Sequence, residues 1–271
     1  MKKQSRLDGT PPLLDHVHID YIRLATFDFE AYCSLAAVIR QKHTGWRKAN
    51  WLQYKMERSQ DNVAFGIGEQ SKRPHGVLEA TGSDAHVFCH WLLETQQESL
   101  DSLYATRIDL CLTKRAPDSL DYAKTYKRIA KPKGLHLGDD GNTLYVGNRE
   151  SDSFWRLYDK THKHVRLEVE LKGNQAKRYW RAIVTGASPA ALFTTKLQSS
   201  RVPKFIVDYY ATGQDALNMD DFPVADMTDM LSKARWLATL DGLVYKLCKD
   251  HDAGPMASAT IARWADYANL P

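Results

Sequence analysis

Between Arg156 and Gly173 the chain reads RLYDKTHKHVRLEVELKG, and its alternation leaves little choice of conformation. Leu157, Val165, Leu167, Val169 and Leu171 occupy odd positions. Arg156, Tyr158, Lys160, His164, Arg166, Glu168 and Glu170 occupy even ones. Successive strand side chains point to opposite faces, so period two with β-branched residues specifies a hairpin, turning at Thr161–Lys163. Upstream, YATRIDLCLTK repeats the pattern with Ile108, Leu110 and Leu112 on one face and Arg107, Asp109 and Cys111 on the other. The polar faces of these strands combine a phenol, carboxylates and cations, a mixture able to do chemistry.

The rest of the chain supplies the frame. HVHIDYIRLATF reads as a first strand and DFEAYCSLAAVIRQ as a helix capped by Asp28. NWLQYKMERSQDNVAFGIG reads as a hairpin and HGVLEATG as a further strand. SDAHVFCHWLLETQQ is expected to be an amphipathic helix with Val87, Trp91 and Leu92 on its apolar side, and SLDYAKTYKRIAK a basic helix. Strands interspersed with helices predict an α+β fold, with an antiparallel-rich central sheet and helices on one face. The expected organisation is a flexible lead (1–14), a catalytic domain (15–188) and a helical C-terminal region (189–271).

Charge narrows the partner. The net charge of +4 is concentrated: residues 101–181 hold seventeen Lys and Arg against eleven Asp and Glu, and the remainder holds twenty against twenty-two. A local positive excess around the hairpin suits a polyanion such as nucleic acid, although an uneven surface alone has the same signature. Cys33, Cys89, Cys111 and Cys248 lie far apart without a CxxC pair, which argues against a zinc ribbon or a disulfide framework and favours a reducing compartment. No apolar run approaches a membrane span, and MKKQSRLDGTPP lacks the apolar core of a signal peptide. A cytoplasmic protein without a membrane partner is the expectation.

In the predicted hairpin Tyr158 lies opposite or diagonal to Arg166 and Glu168. Asp109 and Glu168, with Glu170 nearby, offer oxygen ligands to a hard cation such as Mg²⁺ or Mn²⁺, with arginines balancing a phosphate. Tyr158 is then a candidate nucleophile. Cross-strand pairing of arginine with glutamate is the competing explanation for the same residues. His16 and His18 form an HVH pair that can bind metal from one strand face or simply make that face polar. Glu79 is either a supporting carboxylate or an exposed strand residue. Arg149, Lys172, Lys177 and Arg178 suit phosphate contacts.

Four motifs in order carry a resemblance. Thr106, Arg107 and Asp109 form a T-R-x-D strand. Thr143, Tyr145, Gly147, Arg149, Ser151 and Asp152 follow as T-x-Y-x-G-x-R-x-S-D. Arg156, Tyr158 and Lys160 then give R-x-Y-x-K, and Arg166 and Glu168 give R-x-E. The chain thereby resembles, over roughly residues 15–250, the rolling-circle replication initiators of the Rep_trans class and the related relaxases of conjugative elements.

The resemblance implies a nicking endonuclease and ligase whose tyrosine forms a 5′-phosphotyrosyl link and leaves a 3′-OH. It carries the nucleophile onto Tyr158, with Arg156, Lys160 and Arg166 beside it and Tyr145 as competitor. It carries the metal onto Asp109 and Glu168, with Glu170 adjacent, and DNA contacts onto Arg107, Arg149, Lys172, Lys177 and Arg178. The implied partner is DNA, an origin hairpin single-stranded at the nick, with a host helicase and a second copy of the chain as further candidates. Two alternatives remain open: a non-catalytic origin- or operator-binding protein on the same fold, and a metal hydrolase using water.

Overall fold

A computed structural model describes residues 15–51, 54–70, 73–115, 135–138, 141–161, 164–200, 202 and 204–222. The strands are β1 (Val17–Thr26), β2 (Arg47–Trp51), β3 (Tyr54–Arg58), β4 (Val63–Gln70), β5 (Arg73–Thr81), β6 (Tyr104–Arg115), β7 (Leu135–Gly138), β8 (Gly141–Val146), β9 (Ser153–Thr161) and β10 (His164–Lys172). The helices among the described residues are α1 (Phe29–Lys42), α2 (Asp84–Thr95), α3 (Gln97–Leu100), α4 (Gly173–Val184), α5 (Pro189–Ser199) and α6 (Lys204–Tyr209). The strands form one sheet in the order β2-β3-β4-β5-β1-β6-β10-β9-β8-β7, with neighbours antiparallel. The fold is α+β, as the alternation predicts. The lead, the basic helix expected over 119–131 and the helices expected beyond 222 lie outside the described residues.

One apolar cluster joins sheet to helices. Ile22, Leu24, Leu78, Leu110, Leu167 and Val169 meet Leu35 and Ile39 of α1, Phe88 and Leu92 of α2, Trp180 and Ile183 of α4, and Leu192 and Leu197 of α5. Asp28 caps α1 by accepting from the Ala31 amide, 3.0 Å away, and Ser188 caps α5 by accepting from the Ala191 amide at 3.1 Å. Phe193 of α5 packs edge-on against Trp155 at 5.5 Å, so the first helix of the C-terminal region docks on the sheet. In α2 the buried face is Ala85, Phe88, Cys89 and Leu92, whereas Val87 is 63% exposed. The expected apolar stripe through Val87 is thus corrected by about one position, because residues three and four apart share a helix face. Among the described residues, no helix is long and apolar enough to cross a membrane.

Close packing singles out Gly76 on β5. A β-carbon there would lie 2.2 Å from the Tyr32 ring of α1, which is itself fully buried. Ring and strand cannot both keep their places. Gly76→Ala is expected to lower stability by about 1–3 kcal/mol, the usual cost of overpacking, as measured by urea unfolding.

Two details of β1 set up the opposite face. Its register against β6 shifts between Ile19 and Tyr21, leaving Asp20 as an extra residue, a β-bulge. His18 is therefore paired with Cys111, and Tyr21 with Asp109. The β1–β5 pairing reaches only to Tyr21 and Thr81. There the chain turns at Gly82, whose amide donates to the Asp20 carbonyl at 2.7 Å, and enters α2 beside the start of β1.

Candidate active site on the polar sheet face

Register alone brings the sequence-predicted residues together. Tyr158 is paired with Arg166, Arg156 with Glu168, Cys111 with Glu168, Asp109 with Glu170, and Arg107 with Lys172. These side chains share one face because alternation sends their apolar neighbours Leu157, Leu167, Val169 and Leu110 into the core. The hairpin joins Thr161 to His164, where the sequence places its turn.

The carboxylates are buried and bridged by arginines. Asp109 is 2% exposed, and its oxygens accept from Arg107 Nε at 2.8 Å and Arg107 Nη2 at 2.5 Å. The same Nη2 lies 2.8 Å from Glu170, which also meets Lys172 at 3.2 Å. Arg156 reaches across β10, donating to Asp109 at 3.3 Å and to Glu168. Burial, reinforced by the Glu168 charge, pushes the Asp109 carboxyl upward, while Arg107 and Arg156 pull against that shift.

Tyr158 donates its hydroxyl to Glu168 Oε2 at 3.0 Å. Burial, and then the Glu168 charge, holds this phenol well above the ordinary tyrosine range. At neutral pH it is therefore a protonated donor. Tyr145 differs: it is paired with Arg156 and its ring stacks on Phe154 at 6.1 Å. Tyr21 also donates its hydroxyl to a carboxylate, Glu79 at 2.6 Å, but lies on β1, outside the hairpin.

The remaining cations are dispersed. Lys160 is exposed beside the hairpin turn, and Arg149 is exposed in the β8–β9 turn, where its carbonyl accepts from Lys172. On α4, Lys177 lies 5.9 Å from the Tyr104 ring and Arg178 lies 3.7 Å from Asp220. Arg107 stacks on the Tyr21 ring at 4.3 Å.

The fit to a hard cation is poor where the sequence expects one. Asp109, Glu168 and Glu170 do not converge on a common point, because the Arg107 and Arg156 guanidinium groups bridge them. Among the described residues, the group with ligand atoms all within 4.8 Å of one another is His18, Asp20 and Cys111. Of the HVH pair, only His18 is buried; His16 is exposed.

Several partners of residues singled out in the sequence escape a reading of it. Arg166, 3% exposed, donates to Asp20 Oδ1 at 2.7 Å and to Thr113 Oγ1 at 2.9 Å, reaching across β6 to β1. Glu79 is not an exposed strand residue. It is 4% exposed and accepts from the Tyr21 hydroxyl at 2.6 Å, from Arg23 Nε at 3.0 Å and from Arg58. The one available signal was the broken alternation of HIDYIR, where His18 and Asp20 are followed by Tyr21 and Arg23.

Burial alone would raise the Glu79 carboxyl, but the Tyr21 hydrogen bond and the Arg23 and Arg58 charges outweigh it and hold Glu79 below the usual carboxylate range. A depressed folded value means stabilisation that is complete above the unfolded value of about 4.3 and is lost as pH falls through the lower folded one. Glu79→Gln is expected to cost about 1–3 kcal/mol at neutral pH. It should also flatten the loss of stability that urea titrations of the wild type record below about pH 4.

No protein-family model matches this chain, and no curated protein is detectably similar to it.

Proposed function

We propose that this chain is a DNA strand-transferase of the rolling-circle initiator and relaxase kind, with Tyr158 as nucleophile. The observation that carries the reading is the Tyr158 hydroxyl donating to Glu168 between Arg156 and Arg166 on a hairpin of the sheet's polar face. Tyr158 Oη attacks the scissile phosphorus and its proton passes to Glu168. The bond from phosphorus to O3′ breaks, the departing oxygen takes a proton to become a 3′-OH, and the 5′ phosphate remains esterified to the tyrosine. Because the ester conserves the phosphodiester bond energy, a later 3′-OH can attack it and reseal the strand. Arg156 and Arg166, with Lys160 nearby, face the charge that builds on the non-bridging oxygens. Arg107, Arg149, Lys172, Lys177 and Arg178 are the backbone contacts of this proposal. A divalent ion, Mg²⁺ or Mn²⁺, is the cofactor this reading implies, although Asp109, Glu168 and Glu170, bridged by Arg107 and Arg156, do not converge on a point that would hold it.

Incubation with a single-stranded oligonucleotide carrying the origin hairpin, with Mn²⁺ or with chelator, tests the reading. The expected product is a covalent protein–DNA adduct that maps to the β9 peptide after proteolysis. Retention of DNA without an adduct would favour the non-catalytic binding protein. Cleavage without an adduct would favour water as the nucleophile.

A further inference from the structure

One buried cluster on the polar face has donors of a different kind from the carboxylates. His18 Nδ1 lies 3.3 Å from the His16 carbonyl. A carbonyl can only accept, so Nδ1 carries the proton and Nε2 presents its lone pair. That lone pair faces the Cys111 thiol at 3.0 Å and lies 3.7 Å from Asp20 Oδ1. His18 and Cys111 are 3% and 0% exposed, whereas the Asp20 side chain keeps 20% of its surface open, a route for an ion. Asp20 shares the face of His18 by alternation, and the bulge beside it brings Tyr21 onto that face as well.

A second observation points the same way. His86, in the first turn of α2, has its ring 6.4 Å from that of His18, in an edge-on arrangement. Its Nδ1 is buried without a hydrogen-bond partner. Buried polar nitrogens are ordinarily satisfied, and one left over beside three metal-ligating groups is accounted for by a ligand.

We propose that His18, Asp20 and Cys111, with His86 as fourth donor, form a binding site for a borderline divalent transition-metal ion such as Zn²⁺. Two imidazoles, a thiolate and a carboxylate match tetrahedral Zn²⁺ and the ions that substitute for it, whereas Mg²⁺ requires oxygen. The thiolate and carboxylate face a divalent ion with two negative charges, and Arg166, donating to Asp20 Oδ1 at 2.7 Å, is the outer partner of that carboxylate. The Nδ1–H of His18 on the His16 carbonyl is the outer hydrogen bond that orients a metal-bound imidazole. Loading displaces the thiol proton, so binding releases a proton. The ion would sit one strand pair from Tyr158, because Cys111 is paired with the Glu168 that accepts the Tyr158 hydroxyl. The site does not depend on the strand-transfer reading, and its test needs no DNA.

The test is titration of the chelator-treated full chain with Co²⁺, followed by absorbance. A thiolate-to-cobalt band and tetrahedral d–d bands are expected, displaced by Zn²⁺ and unaffected by excess Mg²⁺. Cys111→Ser should remove the thiolate band although Cys33, Cys89 and Cys248 remain. His18→Gln should weaken Zn²⁺ binding by more than the roughly 10–100-fold that loss of an outer-shell partner costs. His86→Ala should keep the thiolate band but weaken binding by roughly tenfold or more; unchanged affinity would remove His86 from the site. Absence of a thiolate band in the wild type at saturating Co²⁺ overturns the proposal without any variant, and so does a band that survives in folded Cys111→Ser.

Discussion

Tyr158→Phe is expected to eliminate the covalent DNA adduct while leaving fold and DNA retention intact. The substitution deletes one oxygen and keeps the ring between Arg166 and Glu168, so the stability cost is that of a single hydrogen bond, about 1 kcal/mol. Glu168 remains tethered by Arg156 after the hydroxyl is gone. The reaction then lacks its attacking atom, and adduct should fall to background with Mn²⁺ or Mg²⁺ alike. Tyr145→Phe, which leaves the Tyr158–Glu168 pair untouched, should form adduct as the wild type does. An adduct mapped to Tyr145, or formed at the wild-type rate by Tyr158→Phe, would remove Tyr158 from the chemistry.

Glu168→Gln is the second large effect and is distinguishable from the first. The phenol is held protonated by burial and by the Glu168 charge, so attack needs an acceptor for its proton. Replacing the carboxylate by an amide removes that acceptor, and single-turnover adduct formation should slow by about 10²–10⁴-fold. Arg156 still has Asp109 as a partner, so a purely structural role for Glu168 predicts a changed melting temperature with an unaltered rate of adduct formation. Glu168→Asp, which keeps a base on a shorter arm, should recover part of the lost rate.

The site is partly legible in the sequence, and the reason is periodicity. Alternation over Arg156–Gly173 fixes which residues share a face, so the placing of Tyr158 on the side of Arg166 follows from local pattern. Their direct pairing depends instead on a register shift between His164 and Val165 beside the turn. Strand order does not. That β6 lies between β1 and β10 is a non-local fact, and it is what lets Arg166 reach Asp20, 146 residues away in sequence, and His18 reach Cys111, 93 residues away. The choice between metal and guanidinium as the bridge among Asp109, Glu168 and Glu170 was equally hidden. It depends on how far Arg156 and Arg107 extend across neighbouring strands, which composition cannot report. Val87 was misplaced for a simpler reason: α2 buries both the third and fourth residue from each contact, and either stripe fits so short a segment.

The extra residue at Asp20 makes the first strand a vernier. Upstream of it His18 is aligned with the thiol of Cys111, and downstream Tyr21 and Arg23 are aligned with Asp109 and Arg107, although the two groups are out of phase along the chain. Deleting Asp20 would remove the bulge and leave a regularly alternating strand, with His18, Tyr21 and Arg23 still on one face and Ile19, Ile22 and Leu24 still in the core. Deleting Ile22, by contrast, would put Arg23 where the core holds an apolar side chain. Deletion scanning across Val17–Thr26 should therefore find Asp20 more tolerant than its core-facing neighbours, at the cost of its contact with Arg166.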